Sequence, residues 1–383
     1  MKFLSQIPKK NLSGKTVLLR LDLNIQDNEL KNSLRLKRSA ATIIYLLSNK
    51  CSVVILSHKG RPSLAKQGIS KSKFLITNKE LSLKKISGKL SNIIGQKITF
   101  FDSFDFKKTK ENILKHPLGE VFMLENLRFN KGEESNSVSF AKKLSSLGDV
   151  YINDAFAVSH RSNASVDAIT EFLPSYAGLE LESEIEAFKK VIGNPPKPLV
   201  LVIGGVKISD KIGVIKKFIG KAEWILTGGG VANTFFAAKG IPVGKSVFDK
   251  NSLGLAKKWI SNKKIVLPDD VIVDGGEILD IGPKTVAHYT KIISSAKTFI
   301  WNGPMGMIEN AKYQSGTIGL VKAMARSKDF SIVGGGETTS LILNKNLQSN
   351  VSFLSVGGGA MLEYLSGKKL PGLEALMRNK KSL

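Results

Sequence analysis

Cysteine is almost absent: Cys51 stands alone, so no internal disulfide can form, and the chain reads as the product of a reducing compartment. Long apolar runs are missing too. No stretch approaches the roughly 18 residues of a membrane span, and the opening MKFLSQIPKK lacks the apolar core of a signal peptide. We therefore expect a cytoplasmic protein with no membrane partner. Acidic residues are scarce, 32 Asp and Glu against 57 Lys and Arg for a net charge of +25, which raises the question of nucleic acid. The excess is spread evenly, +12 in residues 1–190 and +13 beyond, and it is mostly lysine, 49 against 8 arginines. With no basic tail, no interleaved aromatic and basic patch and no nucleic-acid motif, a solvated lysine surface is the better reading. Two ligand motifs are also lacking. No GxGxxG follows a strand, which argues against an NAD-dependent dehydrogenase, and GIPVGKS (240–246) sets its glycines one residue too close for a GxxxxGK[ST] phosphate loop.

What is there in quantity is glycine. The stretch SIVGGGETT (331–339) is a short apolar strand that ends in three glycines, one acid and two hydroxyl residues. Without Cβ atoms a glycine turn lets backbone N–H groups close on an anion, and the start of the following helix adds partial positive charge. Glu337 then stands where a phosphate-bound Mg²⁺ needs an oxygen ligand. The device recurs at LVIGGVKISDK (201–211), ILTGGGVANT (225–234) and LSVGGGAMLE (354–363). In a parallel sheet these strand ends share one edge, the ligand edge of open α/β folds, and together they point to a polyphosphate cradle. Further strands are expected at KIVLPDDVIV (264–273) and KTFIWNGPMG (297–306).

In the first half the β-rich runs end in polar residues. They are TVLLRLDLN (16–24), SVVILSHKGRP (52–62), EVFMLENLRFN (120–130) and DVYINDAFAVSHR (149–161), separated by helical patterns such as 34–49. This βαβα order implies a parallel sheet. Its ligand edge presents Asp22, Asn24, His58, Arg61, Arg128, His160 and Arg161, with Arg35 entering from the next helix. In a lysine-rich chain a retained arginine signals that planar, two-pronged geometry matters, so this edge suits a small carboxylate or phosphate anion. Arg20, Arg38 and His116 are read as ordinary surface charges or salt bridges.

The Glu-rich run Leu179–Ile192, stopped by NPPKP (194–198), divides the two styles of strand end. We expect an α/β protein of two Rossmann-like three-layer lobes with parallel sheets, joined by a hinge helix. The expected division is a lobe over 1–178, the interlobe helix over 179–193 and a glycine-rich lobe over 194–365, with about 366–383 packing back on the first lobe.

In these motifs, in this order and over nearly the whole length, the chain resembles the phosphoglycerate kinase family. RLDLN with Arg35 downstream, SHKGRP, ENLRFNKGE and NDAFAVSHR are similar to its substrate motifs; GGVKISDK, TGGGVANTF, WNGPMGMIE, GGGETT and GGGAMLE with SGKKLPG are similar to its nucleotide motifs. The resemblance implies that Asp22, Asn24, Arg35, His58, Arg61, Arg128 and Arg161 hold 3-phosphoglycerate. It implies that Lys207, Lys211, Gly229, Asn302, Glu309, Gly334, Gly335, Gly336, Glu337 and Thr338 hold ADP or ATP with Mg²⁺, Glu337 touching the metal. Arg35, Lys207 and the backbone at Gly335 and Gly358 fall to the phosphoryl group in transfer. The expected enzyme is a monomer that moves a phosphoryl group between 1,3-bisphosphoglycerate and ADP after its lobes close. Departures from the family pattern stand at Glu337, where Asp is usual, at Val356, where Thr is usual, at NIQ (24–26), Ala41 and Ser183. Glu337 and Val356 are what a catalytically silent relative would also show.

Overall fold

In a computed structural model, which describes residues 1–30, 33–62, 79–326 and 329–383, the apolar runs become strands with both faces covered. Six of them form a sheet in the first half: β1 (Thr16–Arg20), β2 (Ser52–Leu56), β3 (Ile98–Phe101), β4 (Val121–Leu124), β5 (Val150–Asn153) and β6 (Ser175–Ala177), in spatial order β3-β4-β2-β1-β5-β6. Every pairing is parallel. Successive side chains of a strand point to opposite faces. Val17, Leu19, Val53, Ile55, Val121 and Met123 accordingly join one core cluster, while Leu18 and its register partners Val54 and Tyr151 are buried at the intervening positions.

The first helix laid on this sheet, Leu34–Ser48, buries Leu36, Ala40, Ile43 and Leu46, a stripe at helical spacing. Ser33 begins it by accepting from the Leu36 N–H, which satisfies one of the orphan donors of a first turn.

The second sheet contains β7 (Leu199–Ile203), β8 (Trp224–Thr227), β9 (Ile265–Val266), β12 (Thr298–Asn302), β13 (Phe330–Gly334) and β14 (Phe353–Leu354) in the order β14-β13-β12-β7-β8-β9. It too is wholly parallel. The chain moves outward from β7 to β9, then returns across β7 to continue through β12, β13 and β14. The switch point where ligands bind in such sheets therefore lies between β7 and β12.

The run 264–273 is not one strand. Pro268, Asp269 and Asp270 break it, because Asp270 turns its carboxylate to the N–H groups of Lys284 and Thr285 and so caps the helix Pro283–Ser295. Before the break lies the edge strand β9. After it lies β10 (Val271–Asp274), which pairs antiparallel with β11 (Glu277–Ile281) across the turn Gly275–Gly276 as a separate hairpin.

The chain folds into two compact units, Met1–Glu184 with Lys369–Leu383, and Ile185–Lys368. The Glu-rich segment is helical over Leu179–Ile192. It starts where the buried Asp154 carboxylate accepts from the Glu180 and Leu181 N–H groups. In the first unit the last residues are stitched down at several points. Gly372 N–H donates to Ser159 O, the Arg378 guanidinium pairs with Asp167, the Asn379 amide donates to Leu173 O and the Leu383 N–H donates to the Tyr176 hydroxyl.

Candidate active site

At the carboxyl edge of the first sheet, the segment after β2 runs as a spine to which two neighbouring loops are bonded. On one side the Ser57 hydroxyl accepts from Leu23 N–H, and Gly60 N–H donates to the Asn24 side chain at 2.8 Å. On the other, Asn126 donates to Lys59 O and Arg128 to Gly60 O at 2.6 Å. Backbone groups thus fix Asn24, His58 and Arg128 relative to one another. Lys59 adds an ion pair with Asp27, whose second oxygen meets Lys85 at 2.7 Å, and these two lysines hold the Asp27 carboxyl below its usual range.

Arg35 reaches the same edge from its helix. Its Nη1 donates to Asn24 O at 2.7 Å and lies 3.3 Å from the Asp22 carboxylate, which also accepts from Asn24 N–H. Arg128 is buried against Glu134 at 3.3 Å, and burial, helped by the neighbouring Arg161, pushes its guanidinium down to about 10. Arg161 is half-buried and its Nε lies 3.2 Å from the His160 ring; Arg61 is exposed at the start of the next segment. Desolvation and then the field of Arg20, Arg128, Arg161 and Arg35 drive the His58 imidazole well below its usual range, so His58 is neutral. Several guanidinium groups around a neutral ring form a site suited to an anion.

Of the two readings given to Arg20, the surface charge fails and the salt bridge holds, at 3.9 Å to Glu133. Arg20 is 2% exposed and donates to Ser165 Oγ, Leu21 O and His58 Nδ1. The signal was in the sequence: Arg20 ends an apolar run that a doubly covered parallel strand must bury. Arg38 makes a 2.7 Å ion pair with Glu180, and His116 bonds Asn112 O while its ring meets Phe122 edge-on.

In the second unit the glycine turns converge at the switch point. Gly204 N–H donates to Asn302 O at 3.0 Å and Gly205 N–H to Pro304 O at 2.8 Å, so the ends of β7 and β12 are in backbone contact. A Cβ on Gly204 would collide with the carbonyl oxygens of Pro304 and Gly303. Next to them Gly335 has φ +104 and opens the helix Gly336–Asn344. The buried Nδ2 of Asn302 has no hydrogen-bond partner, and neither have the Thr338 and Thr339 hydroxyls at that helix's start. Buried polar groups are normally paired; here an unpaired donor borders a helix N-terminus.

Lys211 is buried at the same edge, its ammonium lowered by burial against the pull of Asp210 and Glu337, and its Nζ donates weakly to Lys207 O at 3.4 Å. The Lys207 side chain is exposed, as are Gly336, Glu337 and Glu309. Gly334 ends β13, Gly229 begins the helix Gly229–Ala238, and Gly358 begins the helix Gly358–Leu365 with half-buried Val356 two residues before it. Glu309 lies beyond β12, outside the glycine turns. Glu337 suits a cation that arrives with its own phosphate oxygens, because Mg²⁺ takes few protein carboxylates and fills its octahedron with phosphate and water. Among the described residues no group of three or more His, Cys, Asp or Glu could hold a metal by itself.

Comparison with known proteins places this geometry. The family described as "Phosphoglycerate kinase" matches residues 7–368. A phosphoglycerate kinase of Wolbachia pipientis wMel is 39% identical over 96% of this chain and 97% of its own length, and one of Herpetosiphon aurantiacus is 38% identical over 95% and 96%. Solved structures agree: phosphoglycerate kinase from Coxiella burnetii superposes with a TM-score of 0.80 at 34% identity over 99% of each chain, and that from Pyrococcus horikoshii OT3 with 0.84 at 30% over 98% of each. No helix among the described residues is long and apolar enough to cross a membrane. With the family matched over residues 7–368 and two parallel sheets shared with solved relatives, the chain belongs to the phosphoglycerate kinase family and is a kinase of small-molecule substrates.

Proposed function

We propose that the chain transfers the acyl phosphate of 1,3-bisphosphoglycerate to ADP, giving 3-phosphoglycerate and ATP, and that the acceptor in reverse is a carboxylate. The observation that carries this reading is the cationic edge of the first unit. A carboxylate is already ionised at neutral pH and needs no general base, and this edge offers guanidinium groups around a neutral, buried imidazole. Catalysis of this kind is positioning and charge stabilisation.

Asp22, Asn24, His58, Arg61, Arg128 and Arg161 hold 3-phosphoglycerate in this reading. Asp22 and Asn24 also aim Arg35, whose guanidinium they already contact. Gly229, Gly334–Gly336, Asn302, Glu309, Thr338, Lys207 and Lys211 hold the nucleotide, with the Asn302 amide supplied with an acceptor for its unpaired donor. Arg35 and Lys207 spread the charge of the phosphoryl oxygens in transfer, helped by N–H groups at Gly335 and Gly358. Glu337 is the protein ligand of a Mg²⁺ carried by the nucleotide, which supplies neutralisation of phosphate charge. Since Glu is longer than Asp by one methylene, the carboxylate sits more than about 1 Å further from its backbone than Asp would.

In-line transfer requires the reacting atoms to approach to about 3–3.5 Å. The reading therefore includes closure of the two lobes, with the helix Leu179–Ile192 as hinge, in a monomeric cytoplasmic enzyme. A coupled assay of ATP formation from 1,3-bisphosphoglycerate and MgADP tests it. Turnover above about 1 per second places the chain in the ordinary range of kinases; no ATP from a folded protein that binds both substrates marks a silent relative and defeats the proposal.

A further inference from the structure

The His58 imidazole is bonded from behind. Arg20 Nη2 lies 3.2 Å from His58 Nδ1, both groups buried. A guanidinium has five N–H donors and no acceptor, so the bond forms only if Nδ1 is the acceptor. The imidazole proton of a neutral His58 then sits on Nε2. A protonated His58 would point one N–H at another, which adds to the effect of burial and the surrounding arginines.

Arg20 is in turn fixed. Its Nε donates to Ser165 Oγ at 2.8 Å and its Nη1 to Leu21 O. The Ser165 hydroxyl passes its own proton toward Glu133 Oε1 at 2.6 Å, while Ser165 N–H donates to Glu133 Oε2 at 3.0 Å. Glu133 and Ser165 are wholly buried, and the Glu133 carboxylate stands 3.9 Å from Arg20 Nη2 as its counter-charge. Ser165 is held from the other side by the Tyr151 hydroxyl on its carbonyl at 2.7 Å. The bonds run in one line from Glu133 through Ser165 and Arg20 to His58, and Glu133, Ser165 and Arg20 come from segments far apart in sequence. A packed salt bridge alone needs no such directional line ending on one ring nitrogen.

We propose that Glu133, Ser165 and Arg20 are positioning residues that lock His58 as a neutral Nε2–H donor, so that the group it recognises on the ligand must be a hydrogen-bond acceptor such as an anionic oxygen. This rests on the reading of His58 as a ligand of 3-phosphoglycerate. The lock decides what His58 offers before any ligand arrives. A neutral donor also adds no charge change of its own to substrate binding across the range in which a free histidine titrates.

The test is nitrogen-15 NMR of the imidazoles in the full chain, with assignment by His58→Gln, run beside the pH profile of KM. In the parent, His58 should show an unprotonated Nδ1 and a protonated Nε2 that do not titrate from about pH 8 to about pH 6, where ordinary histidines do. KM for 3-phosphoglycerate should follow only the second ionisation of the substrate's own phosphate, at about pH 6, with no histidine titration added. Ser165→Ala should leave the ring in a mixture of both tautomers. It should raise KM for 3-phosphoglycerate about tenfold, the worth of one misaligned hydrogen bond, with kcat and KM for MgATP within about twofold. Arg20→Met should free the ring to take either tautomer, while burial and Arg128, Arg161 and Arg35 still hold it neutral, so that KM rises without a histidine titration. Ser165→Thr keeps the hydroxyl and should restore the single tautomer. A pure Nε2–H tautomer in folded Ser165→Ala and Arg20→Met would overturn the proposal, as would an Nδ1–H form in the parent. If the parent shows the expected tautomer but saturating 3-phosphoglycerate leaves the Nε2 resonance unmoved, the lock stands and the assignment of His58 to the substrate falls.

Discussion

Gly335→Ala separates the two things a glycine turn can do. Gly335 has φ +104, a region costly for an L-residue, so the substitution should destabilise the fold by about 1–3 kcal/mol. A domain with the usual margin of about 5–15 kcal/mol survives that. The space itself is available: the new Cβ would lie 3.4 Å from Gly303 N and 3.5 Å from Asn302 Nδ2, ordinary contact distances. What the methyl does is cover the unpaired Asn302 donor with a group that cannot accept a hydrogen bond. A hydrogen bond to a charged acceptor contributes about 1.5–3 kcal/mol, so loss of that one bond should raise KM for MgADP about 10- to 150-fold. KM for 3-phosphoglycerate should stay within about twofold, since that reading puts the ligand on the other unit. Gly336→Ala is the control, because nothing lies within 4 Å of a Cβ there and φ is not positive. The assays are a thermal melt and steady-state kinetics with each substrate varied. A folded Gly335→Ala with unchanged KM for MgADP would show that the phosphates do not lie over Asn302.

Three further outcomes follow. Arg35→Ala should lower kcat on the order of 10³-fold with little change in MgADP affinity, as for a cation that meets the phosphoryl group only in transfer; kcat within a few-fold of the parent would remove Arg35 from that role. Glu337→Gln should weaken MgADP binding in calorimetry while sparing metal-free ADP, because a neutral oxygen replaces a carboxylate ligand; Glu337→Asp should match or exceed the parent, and a large loss there would show a turn built around the longer side chain. Small-angle X-ray scattering should show a larger fall in radius of gyration with 3-phosphoglycerate and MgATP together than with either alone; an unchanged radius with both saturating would argue against lobe closure.

Much of the fold was legible because a parallel strand covered on both faces must be apolar throughout, so β1, β2, β4, β5, β7, β8, β12 and β13 announce themselves as short apolar runs. β3 and β6 did not. Ile98–Phe101 is an edge strand with one buried residue, and Ser175–Ala177 is three residues long, so neither carries a period. The run 264–273 misled because Val271–Asp274 is as β-rich as a core strand while pairing only within its hairpin. At the site, residue types pointed to the arginines and glycines at strand ends, which chemistry demands. Tertiary contacts were invisible. Nothing in the spacing of Arg20, Glu133 and Ser165 says that they meet, and an Asn302 amide without a partner can be seen only when its neighbours are in place. The signal missed at Arg20 was burial: a charge inside a doubly covered strand must be bonded, and its partners are informative.

The central claim is that the acceptor is a carboxylate, and trapping the product tests it most directly. The purified chain is supplied with MgATP, 3-phosphoglycerate and hydroxylamine, which converts an acyl phosphate to a hydroxamate and leaves a phosphate ester untouched. Hydroxamate should form in step with ADP, depend on 3-phosphoglycerate and fall on the order of 10³-fold in rate in Arg35→Ala. ADP released without hydroxamate, or a phosphate ester as the only phosphorylated product, would contradict it.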